Sequence, residues 1–165
     1  MSSPRYINVS LERSPVGMGI RKIAQWVTYD DFTDGGSTAG TLALTPTIPA
    51  GSFVLGSKVT VKTGFTGDTT CVMDIGDGSD ADIFSQTTHN IFAIANNLME
   101  SADAAADGTM RGIVPISTET TVTLTATSGS DWGLVTAGKM LVEVFYFSTN
   151  VELDESYPMK FNDTI

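Results

Sequence analysis

The stretch DIGDGSDADIF, Asp74 to Phe84, places four aspartates and two glycines in eleven residues directly after an apolar run, a composition that suits a cation or a phosphate. A calcium loop needs several carboxylate oxygens converging from one tight turn. Counted from Asp74, the third and fifth positions are Gly76 and Gly78 and the twelfth is Ser85, so the spacing does not fit. Gly76-Asp77-Gly78-Ser79-Asp80-Ala81 matches G-x-G-x-x-A, the outline of a dinucleotide-binding turn. Asp77 and Asp80 would set negative charge beside the pyrophosphate, and no helical pattern follows Asp82. The expectation is a solvated turn, with glycine supplying unusual dihedrals and aspartate bonding the backbone, and with no metal or cofactor.

His89 is the single histidine, so any Ser-His-Asp or metal-histidine chemistry would have to run through it. No G-x-S-x-G elbow accompanies it and no second histidine helps to hold zinc, which points to a strand-end histidine on a loop or interface. Remote carboxylate pairs for glycoside hydrolysis remain open, with Glu143 the one acid worth naming. Its strand alternation puts it on the face of Leu141, Phe145 and Phe147, a pattern that a wet subunit contact explains equally well. Trp26 and the cluster Phe145, Tyr146 and Phe147 read as core, whereas Trp132, in a Ser-Asp-Trp-Gly turn, is the aromatic to test for ligand contact.

The elements that would position these residues are mostly β. In TVTLTAT, Thr121 to Thr127, Val122, Leu124 and Ala126 share one face and four threonines the other; in SKVTVKT, Val59 and Val61 oppose Lys58, Thr60 and Lys62. KMLVEVFYFS, Lys139 to Ser148, is apolar on both faces except for Glu143, so it reads as a central strand whose second side is covered by a sheet, loop or subunit. Further strands are expected at Tyr6–Leu11, Ile20–Tyr29, Thr41–Thr45, Thr69–Ile75, Asn90–Ala95 and Ile113–Ser117, separated by glycine-rich turns. IFAIANNLMESADAAAD carries both periods and reads as a strand running into a loop, with a helical turn around Met99–Ala106. Short strands at this spacing predict an all-β antiparallel sandwich or jelly roll, residues 23–165, preceded by an extended N-terminal arm, residues 1–22. The core is expected to include Trp26, Val59, Val61, Val122, Leu124, Val142 and Val144.

The 165-residue chain is 41% hydrophobic against 17% charged, which is the composition of one folded domain. Its net charge of −10 argues against nucleic acid and anionic membrane as partners. The sign is uneven: Arg5, Arg13, Arg21 and Lys22 against Glu12 make residues 1–22 net +3, leaving −13 for the body. Cys71 is the single cysteine, so no intrachain disulfide forms. No secretory h-region opens the sequence and no run of about 18 apolar residues spans a bilayer, so synthesis in the cytoplasm is expected.

Ile48 to Phe84, with its I-P-A-G turn, V-L-x-x-x-V-x-V strand and G-D-G-S-D-A-D turn, together with GSDWGLVTAGKMLVEVFYF, Gly129 to Phe147, resembles the β-sandwich modules of tailed-bacteriophage virion proteins. The resemblance covers about two thirds of the chain and carries turns and strands rather than catalytic residues. It implies a non-enzymatic structural protein of the capsid decoration, or cement, type: a homotrimeric jelly roll on the outer head surface that clamps the major capsid protein. Such proteins are virion components, and the same modules occur in tail or head fibres that bind a host receptor or glycan. On this reading the basic arm, through Arg5, Tyr6, Arg13, Arg21 and Lys22, meets the capsid, and Glu143, Phe145 and Phe147 lie at the subunit interface. A small hydrolase is the third class the residues leave open.

Overall fold

The computed structural model describes residues 20–85, 88–94, 98–101 (backbone only) and 115–148. Among the described residues there are nine strands: β1 (Ile20–Thr28), β2 (Thr33–Asp34), β3 (Ala39–Ala43), β4 (Ser52–Thr66), β5 (Cys71–Gly76), β6 (His89–Asn90), β7 (Leu98–Ser101), β8 (Thr123–Ser128) and β9 (Ala137–Ser148). Short 3-10 turns occupy Tyr29–Asp31 and Trp132–Leu134. Among the described residues no helix is long and apolar enough to cross a membrane.

The strands form two antiparallel sheets, β1-β9-β4-β7 and β2-β3-β8-β5-β6. Pairing is nested: β1 lies beside β9, β3 beside β8, β4 beside β7 and β5 beside β6, with β2 added at one edge. Folding a chain back on itself in this way and wrapping the pairs over two sheets is the jelly-roll arrangement, as expected. The expected arm segment Tyr6–Leu11 lies outside the described residues, and residues 20–22 already belong to β1.

Period-two patterning decides which side chains enter the core. From β1 come Ile23 and Val27, from β4 Val54, Val59 and Val61, and from β9 Met140, Val142, Val144 and Tyr146. The second sheet contributes Met73, Ile75, Leu124 and Ala126. A 15-residue β4 keeps its valines inside only because the register shifts between Val54 and Gly56. The extra residue there, Leu55, is 41% exposed, as an unpaired bulge residue can be. Without the bulge, Ser57, Val59 and Val61 would fall on the phase of Phe53 and leave the core.

Four expectations need correction. Trp26, Phe145 and Phe147 are not core: Ile23 and Val27 set the phase of β1 and Val144 and Tyr146 that of β9, so the three rings point outward and are half-buried, and only Tyr146 of the expected cluster is buried. Residues 98–101 form a strand paired with β4, not the start of a helical turn, because the edge of β4 offers a ladder to a segment whose own periodicity is ambiguous. The strand expected at Asn90–Ala95 is only His89–Asn90; Ile91 is then buried while Ile94 is 69% exposed. Of Ile113–Ser117, the described residues 115–117 form no strand, although Ile116 exchanges two backbone hydrogen bonds with Ser52 and Gly51 at 2.9 and 2.8 Å.

Candidate functional site

Opposite residues on neighbouring strands share a face, so the registers define the outer surface of the β1-β9-β4 sheet row by row. Ile20, Phe147 and Phe53 form the first row; Lys22, Phe145 and Gly56 the second; Ala24, Glu143 and Lys58 the third; Trp26, Leu141 and Thr60 the fourth; Thr28, Lys139 and Thr63 the last. Phe53 and Phe147 stack obliquely with centroids 6.3 Å apart, and the Lys139 ammonium lies 5.4 Å from the centre of the Trp26 ring. Ile20 is 59% exposed, so the apolar rows continue to the strand edge. A central strand with aromatic side chains on its outer face presents an apolar patch, and such patches mark contact surfaces.

Glu143 sits in the middle of this surface yet is only 7% exposed. Its Oε1 accepts from the Lys22 ammonium at 2.6 Å, and its Oε2 lies 3.7 Å from that of Lys58. Two cations converge on one carboxylate, which leaves the cluster net positive. Among the described residues no second carboxylate joins an ion pair with these groups. The sequence placed Glu143, Phe145 and Phe147 on one face, and the structure does bring them together. Lys22, Lys58, Phe53, Ile20 and Trp26 were missed as their neighbours. The signal was present in the outward phase of Lys58 and Thr60, but pairing registers are set by bulges and strand order that periodicity does not reveal.

The opposite sheet shows a different outer surface. Its rows run Thr33, Thr41, Thr125 and Asp74; Ala39, Thr127, Val72 and Asn90; and Ala43, Thr123 and Gly76. These rows contain no aromatic side chain and one charge, Asp74.

Of the residues expected at a capsid contact, Arg5, Tyr6 and Arg13 lie outside the described residues. Arg21 is an exposed β1 residue, and Lys22 is committed to Glu143.

The aspartate-rich stretch is a self-closed turn. The Asp77 carboxylate accepts from the backbone N–H groups of Ser79 and Asp80 at 2.8 and 2.9 Å, and the Asp77 N–H donates to the Asp80 carbonyl at 3.1 Å. Gly78 takes φ +87, and a Cβ on Gly76 would meet the Asp80 carbonyl oxygen at 1.9 Å, so both glycines are required by the fold-back. Ile83 and Phe84 then insert into the core. Among the described residues no three His, Cys, Asp or Glu side chains are grouped to hold a metal.

His89 does stand at a strand end, the first residue of edge strand β6, but not on a loop or exposed contact: it is 2% exposed and pairs with Met73. Trp132 is likewise not a ligand platform. It is 4% exposed, with its ring 4.9 Å from Phe32, and fits against Gly40, where a Cβ would come within 2.5 Å of the indole. Asp131 caps this turn by accepting from the Gly133 N–H at 2.9 Å, and Asp68 ties it to the β4–β5 connection. The Asp68 carboxylate accepts from the Ser130, Thr69 and Asp131 N–H groups at 2.7, 2.6 and 3.2 Å and from the Ser130 hydroxyl. Those backbone donors, Ser130 first, hold its pKa well below the usual carboxylate range. Cys71 is buried, and its thiol pKa is pushed up to about 12, first by burial and then by the Asp68 charge.

Comparison of the chain with protein-family models, with curated proteins and with solved structures gives no match.

Proposed function

We propose that the chain is a structural, non-enzymatic virion protein that decorates a bacteriophage capsid from the outside, as a homotrimer bound to the major capsid protein. The observation that carries this is the outer surface of the β1-β9-β4 sheet, where Phe53, Phe145, Phe147, Leu141 and Trp26 surround the Lys22–Glu143–Lys58 cluster. Apolar rows with a charged centre suit a subunit contact, in which aromatic groups supply area and the ion cluster fixes register. The resemblance of Ile48–Phe84 and Gly129–Phe147 to virion modules supplies the biological setting, and the jelly-roll strand order accords with it. The single histidine is buried, which argues against histidine-based hydrolysis. The fibre alternative comes from the same resemblance, and Trp132, the aromatic named for ligand contact, is buried and gives it no stacking platform.

In this account the basic residues 1–22 supply the capsid contact, with Arg5, Tyr6 and Arg13 as its centre. Each exposed ion pair contributes about 0–1 kcal/mol, so attachment depends on repetition over three subunits. The test is the copy number of the protein in purified virions, with and without residues 2–19. Capsid-like copy number that collapses on deletion supports the proposal. A few copies per particle would point to a fibre, and unchanged occupancy would remove the arm as anchor.

A further inference from the structure

The outer face of the β1-β9-β4 sheet is organised to receive an extended segment, and the chain contains one that matches it. Both lateral edges of β9 are occupied up to its end, by Ile20 opposite Phe147 and by Ser52 opposite Ser148, so a further segment meets this sheet through its outer face rather than beside β9. Residues 151–161 read VELDESYPMKF. Val151, Leu153, Tyr157, Met159 and Phe161 fall on one phase of a period-two pattern, with Glu152, Asp154, Ser156, Pro158 and Lys160 on the other. At about 3.3 Å per residue this stretch extends to roughly 36 Å, close to the roughly 40 Å of β9 beneath the face.

The apolar phase is broken once, in its middle, by Glu155. The receiving face is also broken in its middle, where Lys22 and Lys58 flank the single carboxylate of Glu143. Charge agrees more widely: Lys22, Lys58 and Lys139 stand against Glu143 on the face, whereas Glu152, Asp154, Glu155 and Asp163 stand against Lys160 in residues 149–165.

We propose that residues 151–161 of one subunit lie across the β1-β9-β4 face of the next, with Glu155 neutralising the Lys22–Lys58 pair and the apolar positions covering Phe53, Phe145, Phe147, Leu141 and Trp26. This rests on the trimer reading above and specifies what joins its subunits. A tail of one copy on a face of another is a head-to-tail contact, and it is compatible with a closed ring of three where the rotation between copies closes. Proline at position 158 fits this use, because it lacks an N–H and contact through side chains does not call on one there.

The test uses full-length chains with complementary lesions. Phe147→Asp damages the face and leaves the tail intact; Leu153→Asp with Phe161→Asp damages the tail and leaves the face intact. Light scattering should give a trimer for the parent and the 17.5 kDa monomer for each variant alone. Mixed together, the two should form a one-to-one heterodimer, since one intact face and one intact tail remain. Glu155→Lys should weaken parent assembly by about tenfold or more, as like charges meeting across a contact do. If the tail variant stays trimeric while Phe147→Asp dissociates, the trimer reading stands and the tail is not its link. Monomeric variants that fail to complement overturn the head-to-tail arrangement, and a monomeric parent overturns both readings. Unchanged far-ultraviolet circular dichroism in each variant shows that loss of assembly is not loss of fold.

Discussion

Ile20, Phe147 and Phe53 form the first row of one outer face of the sandwich; on the other face Ala39, Thr127, Val72 and Asn90 lie side by side. Both surfaces belong to antiparallel sheets of similar width, and both sheets bury comparable aliphatic side chains between them. The difference therefore does not come from the fold. Threonine suits a solvated strand because its branched side chain favours extended backbone and its hydroxyl satisfies water. Aromatic residues on an outward strand face have no such compensation and are retained where something covers them. The lysines around Glu143 soften the patch, since their ammonium groups reach the carboxylate and a lysine stem is apolar enough to lie on an apolar surface.

The two tryptophans offer the largest expected effect and the sharpest check on which residues belong to the outward face. Trp132→Ala removes a side chain packed on Phe32 and Gly40 and should destabilise folding by about 3–5 kcal/mol, whereas half-buried Trp26→Ala should cost far less, about 1 kcal/mol. Chemical denaturation measures both. Equal losses would mean that Trp26 is packed like a core residue.

Next comes the ion cluster. Glu143→Ala leaves Lys22 and Lys58 facing one another without a counter-charge, in a site between an exposed pair and a buried one, and should cost about 1–3 kcal/mol. Thr125→Ala, at the centre of the threonine face, should change stability by no more than about 0.5 kcal/mol. If the two substitutions have the same effect, the cluster contributes no more than an ordinary exposed surface residue.

Two smaller effects test the ends of the sheets. Asp68 has a depressed pKa in the folded state, so the folded chain binds fewer protons than the unfolded one below the usual carboxylate range. Its contribution is present above that range and is lost as pH falls through it. Asp68→Asn should accordingly flatten the acid limb of a thermal-stability profile, while leaving the neutral limb's pH dependence unchanged. Cys71, with its thiol pushed up to about 12 and buried, should react with a thiol reagent at pH 8 only after denaturation. Fast labelling of the folded protein would show that the β5 end of the sandwich opens.

Much of this architecture was legible in the sequence. The alternation of Val59 and Val61 in β4, of Leu124 and Ala126 in β8 and of Val142 and Val144 in β9 assigns the buried phase of three strands, and all six side chains are core. The shared face of Glu143, Phe145 and Phe147 followed from the same period, although residue type also suggested core for the two phenylalanines, which in fact point outward. Trp26 and Trp132 were exchanged for a physical reason. Residue size suggested core for Trp26, but Ile23 and Val27 fix the phase of β1, and even Gln25 is buried with them. Trp132 sits in a polar turn whose destination depends on the space left by Gly40, about ninety residues away. His89 was misread similarly, because its inward position comes from pairing with Met73 rather than from its own neighbours in sequence. Local pattern assigns faces; only strand order and register say which residues meet.

The central claim is that the aromatic outer face, and not the threonine face, is where the protein associates. Its most direct test is the solution mass of three full-length chains: the parent, Phe147→Asp and Thr125→Asp. The account predicts a trimer for the parent and for Thr125→Asp, and a folded monomer for Phe147→Asp. A Phe147→Asp chain that keeps the parent mass, or a Thr125→Asp chain that alone dissociates, would contradict it.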